Sequence, residues 1–188
     1  MNIAIDAGNS RIKWGVHDGT GWLDSGVLAT ADVAWLSEAA DEWPADARVM
    51  VCNVAGSEVA ATLSALLAGR HARVSFLHAS AEACGVRNTY EFPGQLGADR
   101  WAALIGARAL LEHACLVVCA GTATTVDLLD ADGVFRGGLI LPGFDLMRAA
   151  LADNTPQLPL ADGVFRSEPR NTMDAIVSGC LQAQLGAV

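Results

Sequence analysis

Ile5-Asp6-Ala7-Gly8-Asn9 is the end of a short apolar run followed by a glycine turn, and the chain repeats this pattern. The second stretch is Val118-Cys119-Ala120-Gly121-Thr122, in which Gly121 lies 113 positions after Gly8. Around both stretches, apolar runs separated by turn residues predict strand, turn, strand, turn and strand. A unit of this kind that occurs twice indicates a duplicated domain.

The remaining pattern completes an α/β fold. In the first copy we predict strands at 2–6, 11–17, 22–28, 48–54 and 73–78. We predict helices at 32–43 and 99–113, and a further helix that has Ser57 as its N-cap and ends before Gly69. In the second copy we predict strands at 114–119, 124–129 and 134–141 and helices at 144–152 and from 172 onward. The predicted domains are therefore 1–113 and 114–188. Because two copies would end at about residue 226, the second copy is expected to be incomplete at its C-terminus.

Composition excludes several classes of protein. With 188 residues and 52% hydrophobic content the chain has enough apolar side chains for a packed core, so intrinsic disorder is excluded. A net charge of −9 argues against nucleic-acid partners and a polybasic membrane surface. The sequence shows no signal peptide and no apolar run of about 20 residues, so we expect a cytoplasmic protein that does not cross a membrane. The five cysteines form no C-x-x-C pair, so a zinc site has little support, and the tryptophans are predicted to be core residues.

The turn after the first strand carries the groups that phosphate binding needs. A tight glycine turn between two strands exposes backbone N–H groups to an anion. Asp6 can hold Mg²⁺ directly or through water, and Lys13, the chain's single lysine, can reach a phosphate oxygen. The alternative is an ordinary hairpin with a surface lysine. The second turn, at Gly121 and Thr122, favours the phosphate interpretation because two facing turns can clasp a polyphosphate, although its threonines are also typical of a plain strand.

A third candidate region runs from Tyr90 to Arg100 and leads into a helix. Asp99 stands where an N-cap belongs, and a capping aspartate beside a solvated arginine is one interpretation. The functional interpretation makes Asp99 a general base for a substrate hydroxyl and Arg100 a fork for a carboxylate. Tyr90, the only tyrosine, suits a core position or a substrate contact equally well.

These stretches together resemble the type III pantothenate kinases. The matching segments occur in the family's order and are Asp6 to Ser10 with Lys13, Gly97 to Trp101, Gly121 to Thr125, Gly137 to Gly143 with Leu146 and Met147, and Asn171 to Ile176 with Gly179. The resemblance implies a duplicated actin-like (ribonuclease-H-like) fold with mixed five-stranded sheets. It also implies ATP-dependent phosphorylation of pantothenate, the first step of coenzyme A biosynthesis, by a homodimer.

The resemblance also implies a role for each matched residue. The ATP phosphates and Mg²⁺ would be held by Asp6, Gly8, Asn9, Ser10, Lys13, Gly121 and Thr122. Pantothenate would be bound by Tyr90, Gly97, Ala98, Asp99, Arg100 and Thr172, with Asp99 as the proton acceptor and Arg100 on the carboxylate.

One departure concerns a cation. Where the family has an aspartate that ligates potassium or ammonium, this chain has Cys119, and a neutral thiol is a poor ligand for a hard cation. Two other functions stay open on the sequence alone. One is a non-catalytic regulatory accessory protein, and the other is an actin-like phosphotransferase whose acceptor is a different carboxylate-bearing molecule.

Overall fold

A computed structural model describes residues 1–71, 73–160 and 162–188. Its strands are β1 (Asn2–Ala7), β2 (Arg11–His17), β3 (Trp22–Ala29), β4 (Arg48–Asn53), β5 (Arg73–Phe76), β6 (Glu82–Ala83), β7 (Val86–Asn88), β8 (Cys115–Ala120), β9 (Ala123–Leu129) and β10 (Val134–Pro142). Its α-helices are α1 (Leu36–Asp41), α2 (Ser57–Ala68), α3 (Ala98–Leu110), α4 (Phe144–Asn154) and α5 (Thr172–Leu185). Short 3₁₀ helices cover Thr30–Trp35 and Pro93–Gln95.

The first compact unit comprises residues 1–81 and 90–102. Its sheet has the order β3-β2-β1-β4-β5, in which β1 pairs antiparallel with β2 and parallel with β4. Alternate residues of the strands, such as Ile5 and Val51, join Leu36 of α1 and Leu63 of α2 in one buried apolar cluster. This packing fixes the register, because a shift by one residue would turn the apolar side chains to the other face.

The second unit comprises residues 82–89 and 103–188. Its sheet has the order β6-β7-β10-β9-β8, so the β6–β7 hairpin extends it beside β10. The hairpin turns at Cys84 and Gly85, which have φ of 51° and 77°. Helices α4 and α5 pack together through Ile176, Val177 and Cys180, which contact Phe144, Met147 and Leu151 among others.

The duplication predicted from the two glycine turns is confirmed by these sheets. In each, three consecutive antiparallel strands lie in the same order, β3-β2-β1 in the first and β10-β9-β8 in the second. The observed division differs from the predicted boundary after residue 113. One reason is that β7 pairs with β10 and β6 pairs with β7, so both strands, which the sequence pattern did not predict, belong to the second unit.

Three local predictions are corrected. The N-cap of α2 is Gly56, with φ of 98°, and Ser57 is the first helical residue. The helix predicted at 32–43 is a 3₁₀ turn followed by the short α1. Trp22 and Trp35 are not core residues, since they are 64% and 66% exposed. In the part of the chain that the structure describes, no helix combines the length and apolar character needed to cross a membrane.

Candidate active site

The first glycine turn, residues 8–10, joins β1 to β2 and is held by main-chain and side-chain bonds. The N–H of Gly8 donates to the carbonyl of Arg11 at 3.0 Å, which closes the turn. Thr30 braces it from outside: its hydroxyl donates to the Gly8 carbonyl at 2.6 Å and its N–H to the Ser10 carbonyl at 3.1 Å. The turn is therefore fixed in position, while Asn9 and Ser10 are exposed.

Asp6 and Lys13 are the charged pair beside this turn. They are direct partners in the antiparallel pairing of β1 and β2, so both side chains project from the same face of the sheet. Lys13 Nζ lies 3.6 Å from Asp6 Oδ2, and the side chains are 64% and 48% exposed. An ion pair so exposed stabilises the fold little, which leaves both groups available to a ligand.

Cys52 lies on the other side of Asp6, as its partner in the parallel pairing of β1 and β4. The thiol is buried, and its pKa is raised to about 12 by that burial and by the negative charges of Asp6 and Asp99. The thiol thus stays protonated at neutral pH. Both carboxylates act on this one side chain, so Asp6 and Asp99 belong to the same electrostatic neighbourhood of the first unit.

Asp99 is exposed and is the second residue of α3. Its Oδ1 accepts the N–H of Arg100 at 2.8 Å. A carboxylate at a helix N-terminus also faces the positive end of the helix dipole. The predicted N-cap role is wrong, because the helix begins before Asp99, at Ala98.

Gly97 lies next to this carboxylate. A Cβ at position 97 would lie 2.5 Å from Asp99 Oδ1. A distance of this kind displaces the carboxylate, so a side chain at Gly97 would move the proposed base.

Arg100 and Tyr90 form the second pair of the first unit. Arg100 is buried, and its Nη1 donates to the Tyr90 hydroxyl at 2.8 Å. Its guanidinium carbon lies 5.7 Å from the centre of the Tyr90 ring, within the range of a cation–π contact. The tyrosine thereby orients a guanidinium whose planar fork suits a carboxylate.

The second glycine turn, at Gly121 and Thr122 in the second unit, has a different support. Both residues are exposed. The N–H of Gly143 donates to the Thr122 carbonyl at 2.8 Å. A Cβ at position 143 would lie only 1.9 Å from the Gly121 carbonyl oxygen. The backbone after β10 therefore comes so close to this turn that only glycine fits at position 143.

The residues present suit a Mg²⁺ site at Asp6 better than a monovalent-cation site at Cys119. Mg²⁺ is commonly held by one or two carboxylates together with substrate phosphates, and Asp6 beside a phosphate turn fits that mode. The monovalent-cation position fits poorly: Cys119 is exposed, and its partner across β8 and β9 is Thr125, whose buried hydroxyl has no hydrogen-bond partner within the described ranges. Among the described residues, no group of three or more histidine, cysteine or acidic side chains is arranged to hold a metal ion without a substrate.

The predicted residues thus fall into separate groups. Asp6 and Lys13 form one pair. Asp99 and Arg100 are neighbours in the first turn of α3, and Arg100 contacts Tyr90. Gly121, Thr122 and the exposed Thr172, the first residue of α5, lie in the second unit.

Two residues of the site, Thr30 and Cys52, were not predicted from the sequence, and the contact of Gly143 with the second turn was not predicted either. Their roles depend on strand register and on contacts distant along the chain, for which the sequence carries no local signal.

Comparison with known proteins gives the class of protein. The structure is similar to that of a Baf family transcriptional activator from Campylobacter jejuni, with a TM-score of 0.61 and 22% identity over 99% of this chain and 79% of that one. It is also similar to ADP-bound MreB5 of Spiroplasma citri, with a TM-score of 0.51 and 9% identity over 99% of this chain and 76% of that one. These similarities confirm the actin-like fold.

Sequence comparison gives the family. The model of the family described as "Type III pantothenate kinase" matches residues 2–188. A type III pantothenate kinase of Aromatoleum aromaticum is 59% identical over 188 residues, which are 100% of this chain and 78% of that protein. The chain therefore belongs to the type III pantothenate kinase family, whose members phosphorylate pantothenate in coenzyme A biosynthesis.

Proposed function

We propose that this chain transfers the γ-phosphoryl group of ATP to the primary hydroxyl of pantothenate, with Asp99 as the proton acceptor. The observation that carries the proposal is the exposed pair of Asp6 and Lys13 beside the first glycine turn. The exposed carboxylate of Asp99 belongs to the same unit. Phosphoryl transfer is catalysed mainly by positioning and charge neutralisation, and these groups supply both.

Asp99 begins the reaction by accepting the proton of the substrate hydroxyl. The hydroxyl oxygen then forms a bond to the γ-phosphorus while the bond from that phosphorus to the β,γ-bridging oxygen breaks, and ADP leaves with the electron pair. Because one Asp99 oxygen is tied to the Arg100 N–H, the carboxylate is held in a defined orientation while it stays open to solvent. A fixed base reduces the entropy lost in reaching the transition state.

Lys13 and the first turn neutralise the phosphates. The Gly8 N–H closes the first turn, so the exposed Asn9 and Ser10 are the residues of the turn proposed to face the phosphates, and Lys13 adds a point charge. Mg²⁺, held by Asp6 and by the phosphates themselves, would supply further charge neutralisation. Gly121 and Thr122 of the second turn, which are exposed, are also proposed as phosphate contacts.

Pantothenate is recognised through its carboxylate. Arg100, oriented by Tyr90, forms a charge-assisted pair with it, and Gly97 and Ala98 line the entrance to α3. Thr172 is a further proposed pantothenate contact. We propose that the active form is a cytoplasmic homodimer. No step uses a monovalent cation, because Cys119 offers it no hard ligand.

The test replaces Asp99 with Asn, which keeps the size of the side chain and removes the base. We expect pantothenate-dependent ADP release to fall by about 10²–10⁴-fold, the usual contribution of a general base. Asp46→Asn, at an exposed aspartate of the same unit, is the matched control and should keep the wild-type rate. An unchanged rate in the Asp99 variant would remove the base from the proposal.

Ligand binding tests whether the chain is a kinase at all. The wild-type chain should bind both MgATP and pantothenate in calorimetric titrations at millimolar concentrations. A folded chain that binds neither would contradict the kinase proposal and favour a non-catalytic role.

A further inference from the structure

A groove of ≈ 760 Å³ lies on the first sheet, on the face opposite its apolar core. Its surface comes from β1, β2, β3, β4 and β5, and its most prominent side chains are His17, Trp22, Arg48, Met50, Arg73 and Ser75. A volume of this size is typical of pockets for small molecules. Nothing in the proposed reaction uses it.

Two arginines stand side by side in this groove. Arg48 and Arg73 are direct partners in the parallel pairing of β4 and β5, so their side chains leave the sheet on the same face. Like charges placed directly opposite each other in a sheet are unfavourable. In the part of the chain that the structure describes, neither guanidinium has a carboxylate or other hydrogen-bond partner.

The groove is locally basic in an acidic protein. The chain has 21 Asp and Glu residues and a net charge of −9, yet none of the 11 described residues that line the groove is acidic. An anion bound between Arg48 and Arg73 would relieve their repulsion and could accept hydrogen bonds from both planar forks.

Trp22 forms an ordered aromatic wall of the groove although it is 64% exposed. Its ring lies directly on Gly15, where a Cβ would approach the ring to 2.6 Å. The ring also forms a T-shaped contact with the His17 ring, with ring centres 5.0 Å apart and an angle of 82° between the ring planes. An exposed tryptophan held in this way is a preformed stacking surface.

His17 contributes a donor next to this wall. Its Nδ1 accepts the N–H of Gly19 at 2.9 Å, so the hydrogen of the neutral ring is on Nε2. The groove therefore combines two guanidinium groups, an imidazole N–H, the apolar Met50 and an aromatic surface.

We propose that this groove is a binding site for a small anion that carries a planar ring, of the nucleoside monophosphate class. The phosphate would lie between Arg48 and Arg73 and the ring on Trp22. A nucleic-acid strand suits the site less well, because the net charge of −9 repels a polyanion beyond the groove.

The test measures binding of 5′-AMP by calorimetry and does not depend on turnover, so its outcome is independent of the kinase proposal. We expect Arg48→Gln with Arg73→Gln to weaken binding at least about tenfold, since both charge-assisted contacts are lost. Trp22→Ala should weaken it about five- to tenfold through loss of stacking. Arg48→Lys with Arg73→Lys should fall between wild type and the glutamine variant.

Matched controls are available on the same chain. Arg170→Gln and Trp35→Ala change an exposed arginine and an equally exposed tryptophan outside the groove, and both should bind AMP like wild type. Thermal unfolding midpoints close to wild type would show that the groove variants fold. Lys13→Gln should also keep the AMP site, which separates it from the proposed ATP turn.

Several results would overturn the proposal. They are absence of AMP binding at millimolar concentration, equal affinity in the groove and control variants, or loss of binding in the Lys13 variant alone. Inorganic phosphate that binds as tightly as AMP would overturn the role of Trp22. An oligothymidine strand that binds much more tightly than AMP, with the same dependence on Arg48 and Arg73, would identify a nucleic-acid surface instead.

Discussion

The two glycine turns of this chain have the same ancestry in its repeat and different chemistry. The first has Asp6 and Lys13 as a cross-strand pair, whereas the corresponding positions of the second hold Cys119 and Thr125. The first turn is thus charged, and the second offers only backbone groups and hydroxyls. Both copies have a glycine at the turn, but the second turn is one residue shorter and only the first carries the charged pair.

The two turns also differ in how the rest of the chain supports them. The hydroxyl of Thr30 holds the first turn through the Gly8 carbonyl, and the backbone of Gly143 holds the second through the Thr122 carbonyl. The support of the first turn is the Thr30 side chain, whose replacement removes one hydrogen bond. The support of the second turn is the backbone of Gly143, where a Cβ would collide with the Gly121 carbonyl oxygen. We therefore expect substitutions to affect the two turns unequally.

Removing the charge of the first turn should give the largest effect. Lys13→Gln loses the point charge that faces the phosphates, and hydrogen bonds to charged groups contribute about 1.5–3 kcal/mol, which corresponds to about 10- to 100-fold in rate. We expect kcat/KM for ATP to fall by that factor while the unfolding midpoint is unchanged, because Lys13 is exposed.

Arg170→Gln provides the control, as an exposed cation of the second unit. If both variants lost activity equally, the effect would come from net charge and not from the turn.

Adding a methyl group behind the second turn should give the next effect. Gly143→Ala places a Cβ 1.9 Å from the Gly121 carbonyl oxygen, so the backbone must shift. Overpacking of this kind costs about 1–3 kcal/mol, measurable as a lower free energy of unfolding in urea.

Gly179→Ala is its counterpart within the same unit. Gly179 is helical, and a Cβ added there would meet none of the described atoms within 4 Å, so alanine should stabilise the fold by about 0.5–1 kcal/mol. Equal changes at positions 143 and 179 would contradict the contact with Gly121.

The sequence predicts the strands of both repeats well because apolar alternation and glycine turns are local signals. It also predicts that Asp6 and Lys13 lie beside the first glycine turn and that Asp99 and Arg100 lie at the start of a helix. The catalytic and binding roles of these residues are proposals. The sequence does not predict β6 and β7, which have two and three residues and form because β7 pairs with β10 and β6 pairs with β7. Likewise Cys52 is placed beside Asp6 by the register of β1 and β4, which no local pattern determines.

Weakening the support of the first turn should give a smaller effect. Thr30→Val keeps the shape of the side chain and removes the 2.6 Å bond to the Gly8 carbonyl. One hydrogen bond contributes about 0.5–1.5 kcal/mol, so we expect KM for ATP to rise about two- to tenfold. Thr30→Ser retains the hydroxyl and should restore most of the affinity, an outcome that a purely steric role of Thr30 would not produce.

The smallest effect concerns the hairpins that follow the two turns, where the repeats remain alike. Asp18 accepts the N–H groups of Thr20 and Gly21, and Asp130 accepts those of Val134 and Asp132. The Thr20 N–H, with the other donors, lowers the pKa of Asp18 to about 2, and the Val134 N–H lowers the pKa of Asp130. A carboxyl whose pKa is lower in the folded state stabilises the fold above its unfolded pKa, and this contribution is lost as pH falls through the folded pKa.

Asp18→Asn should therefore lower the unfolding midpoint slightly at neutral pH, and the difference from wild type should disappear as the pH falls from 3.8 towards about 2. Asp130→Asn should behave in the same way, but with a salt dependence, because Asp130 also pairs with Arg136, which is half exposed. Midpoints measured across this pH range at two salt concentrations separate the two contributions. A difference for Asp18→Asn that persisted at pH 2 would show that the carboxylate charge does not stabilise the first hairpin.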